Sequence, residues 1–287
     1  MAQFHRCSFI TFLFAVPLAG VHMAEGKAEE PNQALLALSS TFLSQVKSAD
    51  SLNETLNQLR QYSTNNLIAG LNNDNARKTF WLNLYNGWFQ IFAQRGLTKP
   101  KIFTTKAIEF ADHTFSLDEI EHGILRKYRW KLSLGYLPQV WPDKTIKKLA
   151  VTQIDFRVHF ALNCGAKSCP PIRSYEYSNI DQQLELATST FLSTETEIDE
   201  NQKSVRVTKL MQWFRADFGG KSGIKTIVGR YLKRILMILR YATRSTTGVH
   251  ASLSMRTKQK RKTNSKRQLT NKVQPCARPH RFQPGRE

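Results

Sequence analysis

A long run of mostly apolar and aromatic residues reads Phe80-Trp81-Leu82-Asn83-Leu84-Tyr85-Asn86-Gly87-Trp88-Phe89-Gln90-Ile91-Phe92. Apolar and aromatic residues recur at helical spacing around most of its circumference, which is typical of a helix buried on nearly every side. Residues 72–74, all Asn or Asp, offer caps for its start, and Gly96 offers an end. The sequence therefore predicts a central helix over about Asn75 to Arg95.

A polar seam interrupts this helix. Asn83, Asn86 and Gln90 are spaced so that they fall on one helical face. A buried amide needs hydrogen-bond partners, so these side chains either tie down a neighbouring loop or face a site. The structural interpretation is favoured for the seam, and Asn83 is also a candidate for holding a catalytic histidine.

A second stretch gathers the chemistry of the chain. It reads Arg157-Val158-His159-Phe160-Ala161-Leu162-Asn163-Cys164-Gly165, followed by Lys167-Ser168-Cys169-Pro170. From Phe156 the apolar residues alternate, which predicts a strand with His159 on its other face and a sharp exit at Gly165. Since a histidine and two thiols stand within eleven residues, we expect the functional site here.

The remaining patterns place further elements around these two stretches. Helical spacing predicts helices over about residues 34–46, 52–59, 116–127, 181–192, 210–218 and 224–239. Ile102–Phe110 and Thr114-Phe115 predict a hairpin, Val205 and Val207 an edge strand, and residues 193–203 an acidic connector. Helices outnumber short, scattered strands, so the fold class is predicted as α+β: a predominantly helical single domain over residues 30–240 with a small sheet.

The helix over 116–127 carries its own start signal and two candidate residues. Ser116 and Glu119 have the spacing of a capping box. Glu121 and His122 are neighbours, so on an α-helix their side chains diverge by about 100° and one of them is expected to face inward.

The two ends of the chain differ from the domain between them. Residues 1–24 are predicted to be a signal peptide, because a weakly basic start precedes the apolar run Phe9–Leu18; this predicts a periplasmic or secreted protein. No later apolar run is long enough for a transmembrane segment. Residues 241–287 hold twelve Lys or Arg and one acid, out of a net charge of +20, and are predicted to be a disordered basic tail. No specific nucleic-acid partner is predicted.

Three ordered motifs resemble the family of domain of unknown function 547 (DUF547). They are Phe80–Asn86, Ser116–Arg126, and Arg157–Gly165 with Ser168-Cys169-Pro170; the later pairs Trp213-Phe214 and Asp217-Phe218 also fit. The resemblance covers roughly residues 52–232. It implies an exported bacterial α+β domain without implying a reaction, and it favours Cys164 over Cys169 as the reactive thiol.

The leading functional hypothesis is a thiol-dependent hydrolase or acyl transferase, distantly similar to papain-like or transglutaminase-like enzymes. His159 would draw the proton from Cys164, and Glu121 or Asn83 would hold the imidazole. A backbone N–H near Gly165 would stabilise an oxyanion. The expected substrate is a cell-envelope peptide or protein, and no cofactor or metal is predicted for this hypothesis.

Two alternatives stay open. One is a non-catalytic cell-envelope binding module in which Cys164 and Cys169 form a disulfide, as an oxidising compartment favours. The other is a zinc site that uses His159, Cys164 and Cys169 with His122 as the fourth ligand, since thiolate and imidazole together suit zinc.

Overall fold

The computed structural model describes residues 30–163, 165, 172–199, 201 and 204–245, with side chains up to residue 233. The described residues up to Tyr241 belong to one compact unit. The signal peptide predicted for residues 1–24 lies outside the described residues. Cys164, Cys169 and the tail from residue 246 onward also lie outside them.

Helices make up most of the described chain. The α-helices are α1 (Gln33–Ser48), α2 (Asn53–Arg60), α3 (Thr64–Gly70), α4 (Asp74–Gln94), α5 (Lys101–Thr104), α6 (Lys144–Leu149), α7 (Ile180–Glu195), α8 (Lys209–Trp213) and α9 (Gly220–Ser245). A π-helix spans Glu119–Leu125, and 3₁₀ helices span Lys131–Ser133, Phe156–Phe160 and Tyr177–Asn179.

Four short strands complete the described part of the fold. They are β1 (Ile108–Phe110), β2 (His113–Phe115), β3 (Glu197–Asp199) and β4 (Ser204–Arg206). β1 pairs antiparallel with β2, and β3 pairs antiparallel with β4, so each sheet has two strands. The predicted class, a predominantly helical α+β domain, is confirmed.

Helix α4 is the centre of the core, as its sequence predicts. The side chain of Asn73 accepts a hydrogen bond from the backbone N–H of Ala76 at 2.9 Å, which caps the helix start. Gly96 follows the helix end with a φ of +80°, in the left-handed region that glycine favours. A Cβ at Gly87 would overlap the ring of Phe42, so this glycine lets α1 pack directly against α4.

The capping box at Ser116 is confirmed, but the helix behind it is not an α-helix. Glu119 accepts a hydrogen bond from the backbone N–H of Ser116 at 2.9 Å, and Ser116 Oγ accepts one from the N–H of Glu119 at 3.2 Å. The N–H of Arg126 then bonds the carbonyl of Glu121, five residues earlier, at 2.9 Å. This i→i+5 pattern defines a π-helix, a rare form that is frequent at functional sites.

The strand predicted from Phe156 is wrong, because the structure has a 3₁₀ helix over Phe156–Phe160. Asp155 caps it by accepting a hydrogen bond from the N–H of Arg157 at 3.0 Å, and the same carboxylate binds Lys78 of α4 at 2.9 Å. The consecutive residues Val158, His159 and Phe160 are all buried. A short apolar alternation does not distinguish a half-buried strand from a tight helical turn that is enclosed on several sides.

Three smaller predictions also need correction. The first strand of the predicted hairpin is shorter than expected, because its start at Ile102 lies in α5 and the strand itself covers Ile108–Phe110. The acidic connector contains strand β3, which pairs with β4, the edge strand expected near Val205. The helix predicted over 210–218 ends at Trp213.

Candidate functional site

The polar seam of α4 fixes the backbone on both sides of residues 164–171. On the near side, Asn86 Nδ2 donates to the carbonyl of Ala161 at 3.0 Å, and Asn86 Oδ1 accepts from the N–H of Asn163 at 2.9 Å. On the far side, Asn83 Nδ2 donates to the carbonyl of Tyr175 at 2.9 Å, and its Oδ1 accepts from the N–H of Tyr175 at 2.8 Å. Both amides are fully buried, so α4 holds the ends of the cysteine-containing segment.

Asn83 therefore ties down a loop, which is the structural role that the sequence favoured for the seam. Its hydrogen bonds go to Tyr175 and to the hydroxyl groups of Ser39 and Ser40. The alternative, in which Asn83 holds the imidazole of His159, is not supported by these bonds.

Gly165 continues the same close packing. Its N–H donates to the side-chain oxygen of Asn163 at 2.9 Å. Its φ is +70°, and a Cβ at this position would lie 3.0 Å from the ring of Phe89 on α4. Because this N–H already has an acceptor, it is engaged rather than open to the oxyanion that the sequence hypothesis assigned to this region.

The imidazole of His159 is held by Asp217, a residue that follows α8. His159 Nε2 lies 2.9 Å from Asp217 Oδ2, and Arg126 Nε, at the end of the π-helix, donates to the same oxygen at 2.5 Å. The three side chains are 0–1% exposed. Burial acts to raise the pKa of Asp217, but the hydrogen bonds from His159 and Arg126 outweigh it and hold the pKa below its usual value.

The charge on Asp217 determines which nitrogen of His159 carries a proton. An ionised carboxylate only accepts hydrogen bonds, so Nε2 is the protonated nitrogen in this contact. When the ring is neutral, Nδ1 holds the lone pair and is the nitrogen able to accept a proton. The ring plane is fixed by Phe214 and Phe218, whose centroids lie 4.4 and 5.3 Å from that of His159 in stacked arrangements.

A cavity of about 220 Å³ borders this histidine. Its lining combines ionisable and apolar side chains: Tyr85, Lys99, Phe103, Asp118, Glu121, His122, His159, Leu162, Leu210, Trp213 and Phe214. A larger groove of about 990 Å³ lies between α1 and α2, and its lining includes Gln45, Gln58 and Glu54. We place the candidate site at the smaller cavity because two histidines, His122 and His159, meet the carboxylates of Asp118 and Glu121 there.

Both Glu121 and His122 line the cavity, whereas on an α-helix the sequence led us to expect one of the two to face inward. Tyr85 Oη donates to Glu121 Oε2 at 3.2 Å, and Glu121 Oε1 lies 3.7 Å from His122 Nδ1. The π-helix explains the difference, because its wider turns rotate the chain less per residue than an α-helix does. Burial raises the pKa of Glu121 above its usual value.

His122 is kept neutral by its surroundings. Its Nδ1 lies 2.8 Å from Arg126 Nη1, and a guanidinium can only donate, so Nδ1 is the acceptor. Burial, together with the charge of Arg126, lowers the pKa of His122 to about 3. His122 thus orients Arg126, which in turn binds Asp217.

The structure brings together part of the predicted site. His159 and Glu121 border one cavity. Asn83 belongs, with Asn86, to the pair of α4 amides that hold the two ends of the cysteine-containing segment, a pair that we call the α4 clamp. Cys164 falls outside the described residues, between Asn163 and Gly165, whose N–H groups are both hydrogen-bonded. Sequence reasoning missed Asp217 as the partner of His159. The only signal was its place in the pair Asp217-Phe218, where both residues contact His159 in the structure.

The described residues also bear on the zinc hypothesis and on the prediction that the chain has no transmembrane segment. Among the described side chains, no group of three or more His, Cys, Asp or Glu residues is arranged to bind a metal ion. The cysteine ligands of the zinc hypothesis lie outside this set, so that hypothesis stays a prediction. Within the described part of the chain, no helix has the length and apolar character needed to cross a bilayer.

Comparison with known protein families identifies a match for the central part of the chain. The model of the family described as "Protein of unknown function, DUF547" matches residues 68–192. No curated protein and no solved structure matches this chain. The matched segment contains α4, the π-helix and His159, and it ends before Asp217.

Proposed function

Since this chain belongs to the DUF547 family over residues 68–192, and the family description names no reaction, we propose from the site that the domain is a thiol-dependent hydrolase or acyl transferase. The supporting observation is the buried pair of His159 and Asp217 beside a cavity. A histidine whose Nε2 is bound by an ionised aspartate has the orientation and tautomer that a general base needs.

The proposed reaction uses Cys164 as the nucleophile. Its thiol gives a proton to Nδ1 of His159, and the resulting thiolate attacks the acyl carbon of the substrate. The tetrahedral intermediate collapses to a thioester as the leaving group takes the proton from the imidazolium ring. Water, or an acceptor amine or hydroxyl group, then attacks the thioester and releases the thiol. Asp217 is the positioning residue for His159 in this scheme.

The cavity lining supports an acyl substrate with an apolar part. Phe103, Leu162, Leu210 and Phe214 supply apolar surface next to the histidine. Glu121, with its raised pKa, is a buried carboxyl group at the same cavity and a candidate second proton carrier. Export through the predicted signal peptide belongs to the proposal, and it directs the search for substrates to peptides and proteins of the cell envelope.

The test is the pH dependence of thiol alkylation in the full chain under reducing conditions. Iodoacetamide labelling of Cys164, measured peptide by peptide, should follow an apparent pKa well below the value of about 8.5 of an ordinary thiol, represented by glutathione. His159→Ala should return Cys164 to ordinary behaviour, and Cys164→Ala identifies the labelled peptide. A wild-type protein whose Cys164 titrates like glutathione would remove the enzyme hypothesis.

The same samples distinguish the two alternatives. If Cys164 and Cys169 form a disulfide, the non-reduced protein resists alkylation at both residues and gains two labels after reduction. If the cysteines bind zinc, elemental analysis of the purified protein finds the metal, and a chelator exposes both thiols to labelling.

A further inference from the structure

The loop that follows the π-helix exposes an unusual amount of apolar surface. Between residues 130 and 141 the side chains of Leu132, Val140 and Trp141 are 74%, 80% and 91% exposed. Trp130, Tyr136 and Leu137 add further exposed apolar area in the same twelve residues. Exposed aromatic and aliphatic side chains concentrated in one short loop are typical of an interaction site on a folded domain.

Hydrogen bonds within the loop fix its shape. The N–H of Trp130 donates to the carbonyl of Leu137 at 2.9 Å, and the N–H of Gln139 donates to the carbonyl of Tyr128 at 2.7 Å. Ser133 Oγ accepts from the N–H of Leu137 at 3.0 Å. Because these backbone groups are already paired inside the loop, entering an apolar phase does not require breaking their bonds with water. The same N–H and carbonyl groups are not available to hydrogen-bond an added strand. This argues against a peptide ligand that binds by backbone pairing.

Basic residues flank the apolar side chains in the sequence. From residue 127 to residue 148 the chain holds six Lys or Arg and one acidic residue, Asp143. The carboxylate of Asp143 caps α6 by accepting from the N–H groups of Thr145 and Ile146. Lys144, Lys147 and Lys148, which follow Trp141 within seven residues, are exposed. Lys131 is paired with the carboxylate of Asp118 at 2.6 Å, and the other five basic residues still give this part of the chain a net positive charge beside its apolar side chains.

We propose that the loop Trp130–Trp141 docks the domain on a membrane surface that carries anionic headgroups. Tryptophan and tyrosine side chains are favoured at the boundary between headgroups and acyl chains, where one end of the ring is apolar and the other is wet. Neighbouring lysine and arginine residues add attraction to anionic lipid. Both components are present here on one backbone-paired loop.

The docking loop is also packed against the candidate site. A Cβ at Gly135 would lie 2.6 Å from Asp217 Oδ1 and 3.0 Å from Arg126 Nη2, so the loop backbone closely approaches this ion pair. The carbonyl of Leu134 accepts from the N–H of Ala216 at 3.0 Å. Docking would therefore bring the candidate cavity near the membrane surface, whether or not Cys164 is a nucleophile.

The experiment measures binding of the full chain to vesicles of phosphatidylcholine with and without phosphatidylglycerol. Binding is measured at low and at high salt, because low salt reveals any preference for anionic lipid. High salt screens the charge of the basic tail, so the binding that remains there reports the apolar side chains of the loop. The double substitution Val140→Ser and Trp141→Ser should lower the partition coefficient by about tenfold or more, since two apolar side chains no longer leave water. The matched control is Ile198→Ser with Val205→Ser, two exposed apolar residues of β3 and β4, which should leave binding unchanged.

Three outcomes contradict the proposal. The first is that the wild-type protein binds neither kind of vesicle. The second is that the loop variant binds as strongly as the wild type, and the third is that the β3–β4 control loses as much binding as the loop variant. Circular dichroism checks that both variants are folded. Vesicle binding does not depend on the reactivity of Cys164. A negative result therefore rejects membrane docking and leaves the proposed thiol-dependent activity to its own test.

Discussion

Nε2 of His159 lies 2.9 Å from Oδ2 of Asp217, and both side chains are buried, although 57 residues separate them in the sequence. The same carboxylate oxygen binds Arg126, so one buried negative charge is shared by an imidazole and a guanidinium group. Buried charges require this kind of pairing. Residues from the π-helix, a 3₁₀ helix and the segment after α8 are thereby held together at one point.

The first prediction concerns the stability that this pairing supports. Asp217→Asn removes the charge and leaves Arg126 buried without a counter-ion, so we expect the free energy of unfolding to fall by about 3–5 kcal/mol. Glu197→Gln is the matched control, because it removes a carboxylate from the exposed pair with Arg206 and should change stability by less than about 0.5 kcal/mol. Urea unfolding at pH 7 measures both changes. Equal effects of the two substitutions would show that Asp217 does not stabilise the buried cluster.

The second prediction concerns the pH dependence of stability. The pKa of His122 is lowered to about 3 in the folded state, from an ordinary value of 6.5, so the unfolded chain binds a proton in this interval that the folded protein does not. Stability linked to His122 is therefore present above about pH 6.5 and is lost as the pH falls towards 3. In His122→Gln the side-chain oxygen can still accept a hydrogen bond from Arg126, but the side chain does not titrate. The loss of stability that comes from protonating His122 should therefore be absent in this variant.

The measurement compares unfolding free energies of the wild type and His122→Gln between pH 7 and pH 4. One histidine contributes at most about 1.4 kcal/mol per pH unit to the difference in slope. Glu121 acts in the opposite direction, since a carboxyl group with a raised pKa binds a proton in the folded state that the unfolded chain has released. The difference between the two proteins, rather than the wild-type slope, is therefore the test, and parallel curves would contradict it.

The third prediction tests the contact between α1 and α4. Gly87→Ala places a methyl group on the ring of Phe42, and we expect a loss of about 1–3 kcal/mol despite the better helix propensity of alanine. Gly229→Ala in α9 is the control, because no atom lies within 4 Å of the added Cβ and a gain of about 0.5–1 kcal/mol is expected. Thermal or urea unfolding gives the sign of each change. A stabilising Gly87→Ala would mean that the two helices pack less closely.

Local signals were sufficient to predict much of the fold. The cap at Asn73, the glycine after α4 and the capping box at Ser116 each involve residues within four positions of one another, and each prediction is confirmed. The almost continuous apolar surface of α4 was likewise enough to predict a central helix. These features depend on nearby backbone groups, which a single sequence displays directly.

The wrong predictions depend on distant residues. The segment from Phe156 has the alternation of a strand, but its Asp155 cap is also bound by Lys78 of α4, and its aromatic rings pack on α7 and on the segment that follows α8. The partner of His159 is likewise set by a long-range contact, and no local spacing in the sequence indicated the π-helix. In the sequence, Asp217 stood out only because the pair Asp217-Phe218 fits the DUF547 resemblance. No local spacing connects it to a histidine 58 positions earlier.

The fourth prediction concerns the clamp that α4 places on the segment around Cys164. Asn86→Ala leaves the carbonyl of Ala161 and the N–H of Asn163 without their partner, so we expect a loss of about 2 kcal/mol or more in the free energy of unfolding. Gln90→Ala, one turn later, removes only a 3.5 Å contact and should cost less than about 0.5 kcal/mol. Under native conditions the pH profile of Cys164 alkylation should move towards that of an ordinary thiol in Asn86→Ala alone, because in the proposed reaction the bonds of Asn86 position the segment that carries the thiol relative to His159. If the profile stays unchanged while stability falls, the clamp supports the fold without positioning the thiol.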